Sequence, residues 1–191
     1  MSGFLRLLSL SIALIAAPTQ SAAEAEPPGR VGRISLASAG TQLRIGDSLA
    51  SGEDALNWPL TTGAFIETSA GGRSEVRIGS MALHIDAGTA LEFADLDDAR
   101  IRLRLHRGSI VIVLRNPEHA AETTLETPEG SLRFETPGSY RADVAGGTTA
   151  FSAYRGRAFI ETFGLTVHAG ERLVLLGGPD RRHLLGQAAS D

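Results

Sequence analysis

The stretch that most constrains this chain runs from Arg100 to Leu114. As far as His106 it alternates strictly, with Ile101, Leu103 and Leu105 on one face and Arg100, Arg102 and Arg104 on the other. A two-residue period is that of a half-buried strand. Gly108-Ser109 interrupts the run, and Ile110 to Leu114 is then continuously apolar and rich in β-branched residues. That composition belongs to a strand covered on both faces. A chain built around this stretch must form a sheet.

The same grammar of alternating arm, glycine turn and second arm runs through the remainder. Segments at Val31 to Leu36, Gln42 to Ile45, Ala64 to Ser69, Ser74 to Ile78, Met81 to Asp86 and Thr89 to Phe93 precede the central stretch. Thr123 to Thr127, Ser131 to Glu135, Ser139 to Val144 and further arms up to Leu173 to Leu176 follow it. Short strands at this spacing, with no amphipathic helix between them, indicate an all-β domain. The expected architecture is a two-layer sandwich or β-roll of many short, mostly antiparallel strands joined by glycine turns.

The ends read differently. Arg6 precedes an apolar run from Leu7 to Ala17, Pro18 ends it, and Ser21-Ala22-Ala23 supplies small residues before Glu24. Residues 1–23 therefore read as a signal peptide, because a membrane span needs about 20 apolar residues and this run is shorter. Export to the periplasm or beyond is the expectation, with no membrane-spanning segment after cleavage. Residues 24–30, containing Pro27-Pro28-Gly29, read as a linker, 31–176 as the β domain, and 177–191 as a polar C-terminal tail. The formal charge of −4 and the absence of a concentrated basic field argue against nucleic acid. All 18 basic residues are arginine, and the chain has no cysteine. Disulfides and thiolate chemistry are thereby excluded.

In order and content these segments resemble the FecR domain family, exported all-β modules of Gram-negative bacteria. The matching pieces are Leu60-Thr61-Thr62-Gly63, Gly72 to Gly79, Leu83 to Phe93, the unit Leu103 to Ile112, Thr127-Pro128, Tyr154-Arg155-Gly156 and Ala169-Gly170-Glu171-Arg172. The resemblance spans about residues 31 to 176. It implies a non-catalytic β-domain acting as a binding or interaction module, with an envelope protein or polymer as partner. Two departures stand out. Phe134-Glu135-Thr136-Pro137-Gly138 replaces the family's frequent Arg-Gly-Thr. The signal-like N-terminus also stands where the family's regulators carry a sigma-factor-binding segment and a membrane helix. Transmembrane signalling would require residues Arg6 to Ala17 to remain uncleaved.

A reading of another class comes from Ile45-Gly46-Asp47-Ser48-Leu49, which resembles the nucleophile block of GDSL hydrolases. With Asp180 and His183 at Asp-x-x-His spacing, Ser48 would complete an esterase triad. Against it, the two asparagines, Asn57 and Asn116, are not followed by aspartate, so the family's oxyanion block is missing. The five histidines are scattered without metal-ligand spacing. No metal or cofactor is expected. Asp95, Asp97 and Asp98 read as a solvated turn with Asx bonding. Arg100, Arg102 and Arg104, with Arg73 and Arg77, form the candidate partner-binding stripe, weighed against a solvated face neutralised by Glu75 and Glu92. Trp58 reads as a core or turn-anchoring residue rather than a carbohydrate platform.

Overall fold

The computed structural model describes residues 29–178 and 182–188. The signal and most of the linker expected at the N-terminus lie outside that range, as does Asp180. The described residues form seventeen strands. In chain order they are β1 (Gly32–Ala37), β2 (Thr41–Ile45), β3 (Ser48–Ser51), β4 (Pro59–Leu60), β5 (Phe65–Thr68), β6 (Ser74–Ile78), β7 (Met81–Ile85), β8 (Ala90–Leu96) and β9 (Ile101–Leu114). Then come β10 (Thr123–Thr127), β11 (Gly130–Phe134), β12 (Gly138–Ala145), β13 (Thr148–Arg155), β14 (Arg157–Ile160), β15 (Leu165–His168), β16 (Glu171–Leu176) and β17 (Arg182–Gln187). A single 3₁₀ turn, Gly52–Ala55, follows β3, and a short helix α1, Pro117–Glu122, follows β9.

Two layers result, and β9 belongs to both. In the first, hydrogen-bonded neighbours run β4-β1-β6-β7-β9-β12-β13-β16-β17. In the second they run β3-β2-β5-β8-β9-β10-β11-β14-β15. Residues Ile101 to Arg107 pair in the second layer and Gly108 to Leu114 in the first. The strand turns the corner at Gly108, whose φ of 88° lies in the left-handed region that only glycine enters readily. The interruption read at Gly108-Ser109 is thus a bend within one 14-residue strand. From β10 onward hairpins are laid alternately on the two layers, which makes the sandwich a roll in its winding.

Leu103, Leu105, Ile110, Ile112, Phe93, Tyr140 and Phe151 meet between the layers and are fully buried. The outward side chains of the run after Gly108 are only partly covered: Val111 and Val113 are half-buried. The expectation of a strand covered on both faces therefore fails there, because one face of a two-layer sandwich always meets solvent.

All strand pairs are antiparallel except β9 with β10. A parallel pair needs a crossover, and α1 lies on it. Its N-cap is Asn116, whose Oδ1 accepts from the His119 N–H at 2.8 Å, and Pro117 occupies the first turn. A hydrogen bond of 3.0 Å between Ser80 Oγ and His119 Nδ1 ties the helix to the β6–β7 turn. The absence of helix expected from periodicity thus needs this one correction. A second concerns the C-terminal tail. Arg182–Gln187 pairs along its whole length with β16, from Leu176↔Arg182 to Glu171↔Gln187. It is exposed on both faces, with Leu184 and Leu185 at 63% and 57%. Its fully exposed pattern carries no burial period, which is why it reads as tail. Among the described residues no helix is long and apolar enough to cross a membrane.

Candidate functional site: the charged outer face of the second layer

Alternation along β9 sends Ile101, Leu103 and Leu105 inward and Arg102 and Arg104 outward. Cross-strand register then decides what stands beside each arginine. Arg104 is opposite Glu92 on β8 and Glu126 on β10. Its Nη1 donates to Glu92 at 3.0 Å and its Nε donates to Glu126 at 3.0 Å. The guanidinium fork therefore bridges three strands. Arg102 Nε lies 2.9 Å from Asp95, and its Nη1 lies 3.4 Å from Glu126. Arg100 is farther out, its side chain 70% exposed and 4.0 Å from Asp97.

The row continues in both directions. Leu49, Arg44, Phe65, Glu92, Arg104, Glu126 and Ser131 are successive cross-strand neighbours from β3 to β11. Arg44 lies over the Phe65 ring, 5.2 Å from its centroid, a cation–π contact. His106 packs against the same ring at 5.7 Å and meets Glu92 through Nε2 at 3.0 Å. Farther along, Arg133 stacks over Phe159 at 5.4 Å and pairs with Glu161 at 2.8 Å. The face is a ladder of alternating charge with aromatic rungs.

These contacts set the acid–base behaviour of the row. Burial pushes the Glu92 carboxyl upward, but hydrogen bonds from His106 and Arg104 outweigh it and hold the group below its ordinary 4.5. The hydrogen bond to Glu126 raises Arg104 further, against partial desolvation. Asp97 is held low by the backbone N–H groups of Ala99 and Arg100, each 2.8 Å from its Oδ1. That geometry is the Asx-bonded turn read from Asp95 to Asp98. A carboxylate depressed in the folded state adds stability above its unfolded value, and the contribution is lost as pH falls through its folded value. Thermal stability is therefore expected to drop from about pH 5 downward. Glu92→Gln should flatten that acid limb, and an unchanged slope in melts at successive pH values would show that Glu92 contributes nothing.

The stripe expected from sequence is only partly assembled. Arg77 and Glu75 lie on β6 in the first layer, where Glu75 contacts Arg77 at 3.6 Å and His84 at 3.1 Å. Glu92 pairs with Arg104 as anticipated, but not with Arg100 or Arg102, and Glu75 reaches none of the three. Glu126, which holds both Arg102 and Arg104, is absent from the sequence reading. Its outward position follows from alternation in β10, but its neighbour depends on the parallel β9–β10 pairing, which local pattern does not encode.

Ser48 and His183 are not brought together. Ser48 opens β3, pairing with Ile45 across the Gly46-Asp47 turn at the edge of the second layer. The strand-to-helix corner of a nucleophile elbow is absent there. His183 lies on β17 at the far edge of the first layer, its ring edge-on to Phe163 at 5.1 Å. Phe163 follows β14, and seven inter-strand steps of about 4.8 Å separate β14 from β3, on the order of 30 Å. Among the described residues no cluster of His, Asp or Glu has metal-binding geometry.

No family model matches the chain, and no curated protein matches it. Solved structures do. Two crystal structures of a candidate anti-sigma factor from Parabacteroides distasonis superpose with TM-scores of 0.55 and 0.54, at 13% and 12% identity. Each match covers 64% of this chain and 59% of the other. At this identity the likeness is one of fold: this chain shares a β-domain with part of those proteins.

Proposed function

We propose that this chain is an exported, non-catalytic β-domain of FecR type that acts as a binding module in the Gram-negative envelope. The observation that carries the reading is the charged ladder on the outer face of the second layer. Arg102 and Arg104 are held in fixed orientation by Glu92, Glu126 and Asp95, with Phe65 beside Arg44 and Phe159 beside Arg133. Preorganised arginine and aromatic side chains are the groups on which protein interfaces rely. The signal-like residues 1–23 and the series of FecR-like turns support export and family. The fold shared with an anti-sigma factor favours a protein partner for this face. The separation of Ser48 from His183 leaves the esterase reading without a catalytic arrangement.

The test is a crosslinked pull-down from periplasm, comparing the wild-type chain with a variant carrying Arg100→Ser, Arg102→Ser and Arg104→Ser. Intact mass of the recovered protein reports whether residues 1–23 are removed. Loss of a discrete wild-type partner from the triple variant, with its melt preserved, is the expected result. Equal capture by both proteins would reduce the ladder to a solvated face.

A further inference from the structure

A second candidate site lies at the β3 edge of the second layer, where the charged row ends at Leu49. A cavity of about 370 Å³ is lined by Gln42, Leu49, Ala50, Ser51, Asp54 and Trp58. That volume is within the range of small-ligand sites, about 300–1,000 Å³. Three features distinguish it from an incidental hollow. Trp58 packs against the core while remaining half-buried where it lines the cavity. Its main chain is pinned: the Ile34 N–H donates to the Trp58 carbonyl at 3.4 Å, and the Trp58 N–H donates to the Ala55 carbonyl at 3.2 Å. The residue before it, Asn57, has φ of 62° and is the one non-glycine residue at positive φ among those described. Strained backbone of this kind recurs beside ligand sites. Finally, the side chains of Gln42, Ser51 and Asp54 make no hydrogen bond or ion pair among the described residues. A carboxylate, an amide and a hydroxyl, all exposed, thus line the cavity beside Trp58 without being committed to a partner among the described residues.

We infer that this cavity binds a glucose-configured pyranose unit of a neutral oligosaccharide. Such a ring presents a flat face of axial C–H groups, which suits an indole plane and the exposed Leu49 side chain beside it. Its equatorial hydroxyls radiate in the ring plane, where Asp54 accepts a charge-assisted hydrogen bond and Gln42 and Ser51 can both donate and accept. Glu53 and Asp54, adjacent in the 3₁₀ turn, disfavour anionic sugars. The sequence reading of Trp58 as a core or turn-anchoring residue rather than a carbohydrate platform accounts for its packing on the core, and this inference departs from it because Trp58 also lines the cavity. The inference goes beyond the partner-binding ladder and can fail without it.

Trp58 is the only tryptophan, so its emission reports on this site alone. The full chain is titrated with cellotriose, chitotriose and, as an anionic control, trigalacturonic acid. A saturable shift in emission is expected with at least one of the neutral sugars and not with the control. Asp54→Ala, at an exposed position, should weaken it about tenfold or more. The Arg100, Arg102 and Arg104 serine variant should bind the sugars as wild type does. No shift with either neutral sugar, an equal response to trigalacturonic acid, or undiminished affinity in Asp54→Ala would each overturn the assignment.

Discussion

Gly108→Ala is expected to destabilise the fold by about 3 kcal/mol or more. The left-handed backbone costs an L-residue about 1–2 kcal/mol, and forcing a methyl group into packed surroundings adds about 1–3 kcal/mol. Here the surroundings cannot yield cheaply. A Cβ at this position would lie 2.4 Å from both Cα and Oγ1 of Thr89. Thr89 is fully buried, its hydroxyl donating to the Ser109 carbonyl at 3.1 Å and accepting from the Ser109 N–H at 2.9 Å. Its own N–H donates to Thr68 Oγ1 at 2.9 Å. Displacing Thr89 would unsettle the corner on both layers at once. Gly46→Ala is the control, because its φ is 54° and a Cβ there meets nothing within 4 Å. It should lose only the conformational part, about 1 kcal/mol. Equal midpoints for the two variants in urea denaturation would refute the account.

Tyr140→Ala should cost about 3–5 kcal/mol, the usual penalty for emptying an aromatic site in a core. Tyr140 is fully buried, 4.8 Å from the Phe134 ring and stacked on Phe151 at 5.9 Å. Its hydroxyl lies 2.7 Å from the Thr136 carbonyl oxygen and 3.0 Å from that of Arg157. Arg157 opens β14 in the second layer while Tyr140 sits on β12 in the first, so this side chain fastens one layer to the other. Burial raises the phenol above its ordinary value of 10.0, against the opposing hydrogen bonds, so it stays protonated as a donor. Tyr140→Phe keeps the ring and strips the donor, and should cost about 1–2 kcal/mol. A Phe variant as unstable as the Ala variant would show that the hydrogen bonds, not the ring packing, hold this site.

Much of the fold can be read locally. Alternation at Ile101, Leu103 and Leu105 identifies the buried face of β9, and the segments Ser74 to Ile78 and Thr123 to Thr127 coincide with β6 and β10. The failures have physical causes. Helix α1 is too short for periodicity to register, although Asn116-Pro117 carries a helix-start signal in its cap residue and first-turn proline. β17 lacks a buried face because, apart from the contact of His183 with Phe163, it only pairs with β16 at the edge of the first layer. The candidate sites were the least legible part. The charged ladder joins strands distant in sequence, and the Trp58 cavity gathers Gln42, Ser51 and Asp54 from β2, β3 and the turn after it. Individual side-chain orientation follows from a two-residue period, while neighbourhood follows from layer order, which no single segment specifies.

The sharing of β9 has a consequence for how the protein comes apart. In a sandwich whose sheets are joined only by loops, one sheet can in principle fray while the other persists. Here a continuous run of backbone threads both, so opening either sheet pulls on the amides that anchor the other. The domain should therefore behave as one cooperative unit in hydrogen exchange, with the amides on either side of the bend released together. The place that permits the sharp change of direction is then also the place where the whole assembly is most easily undone.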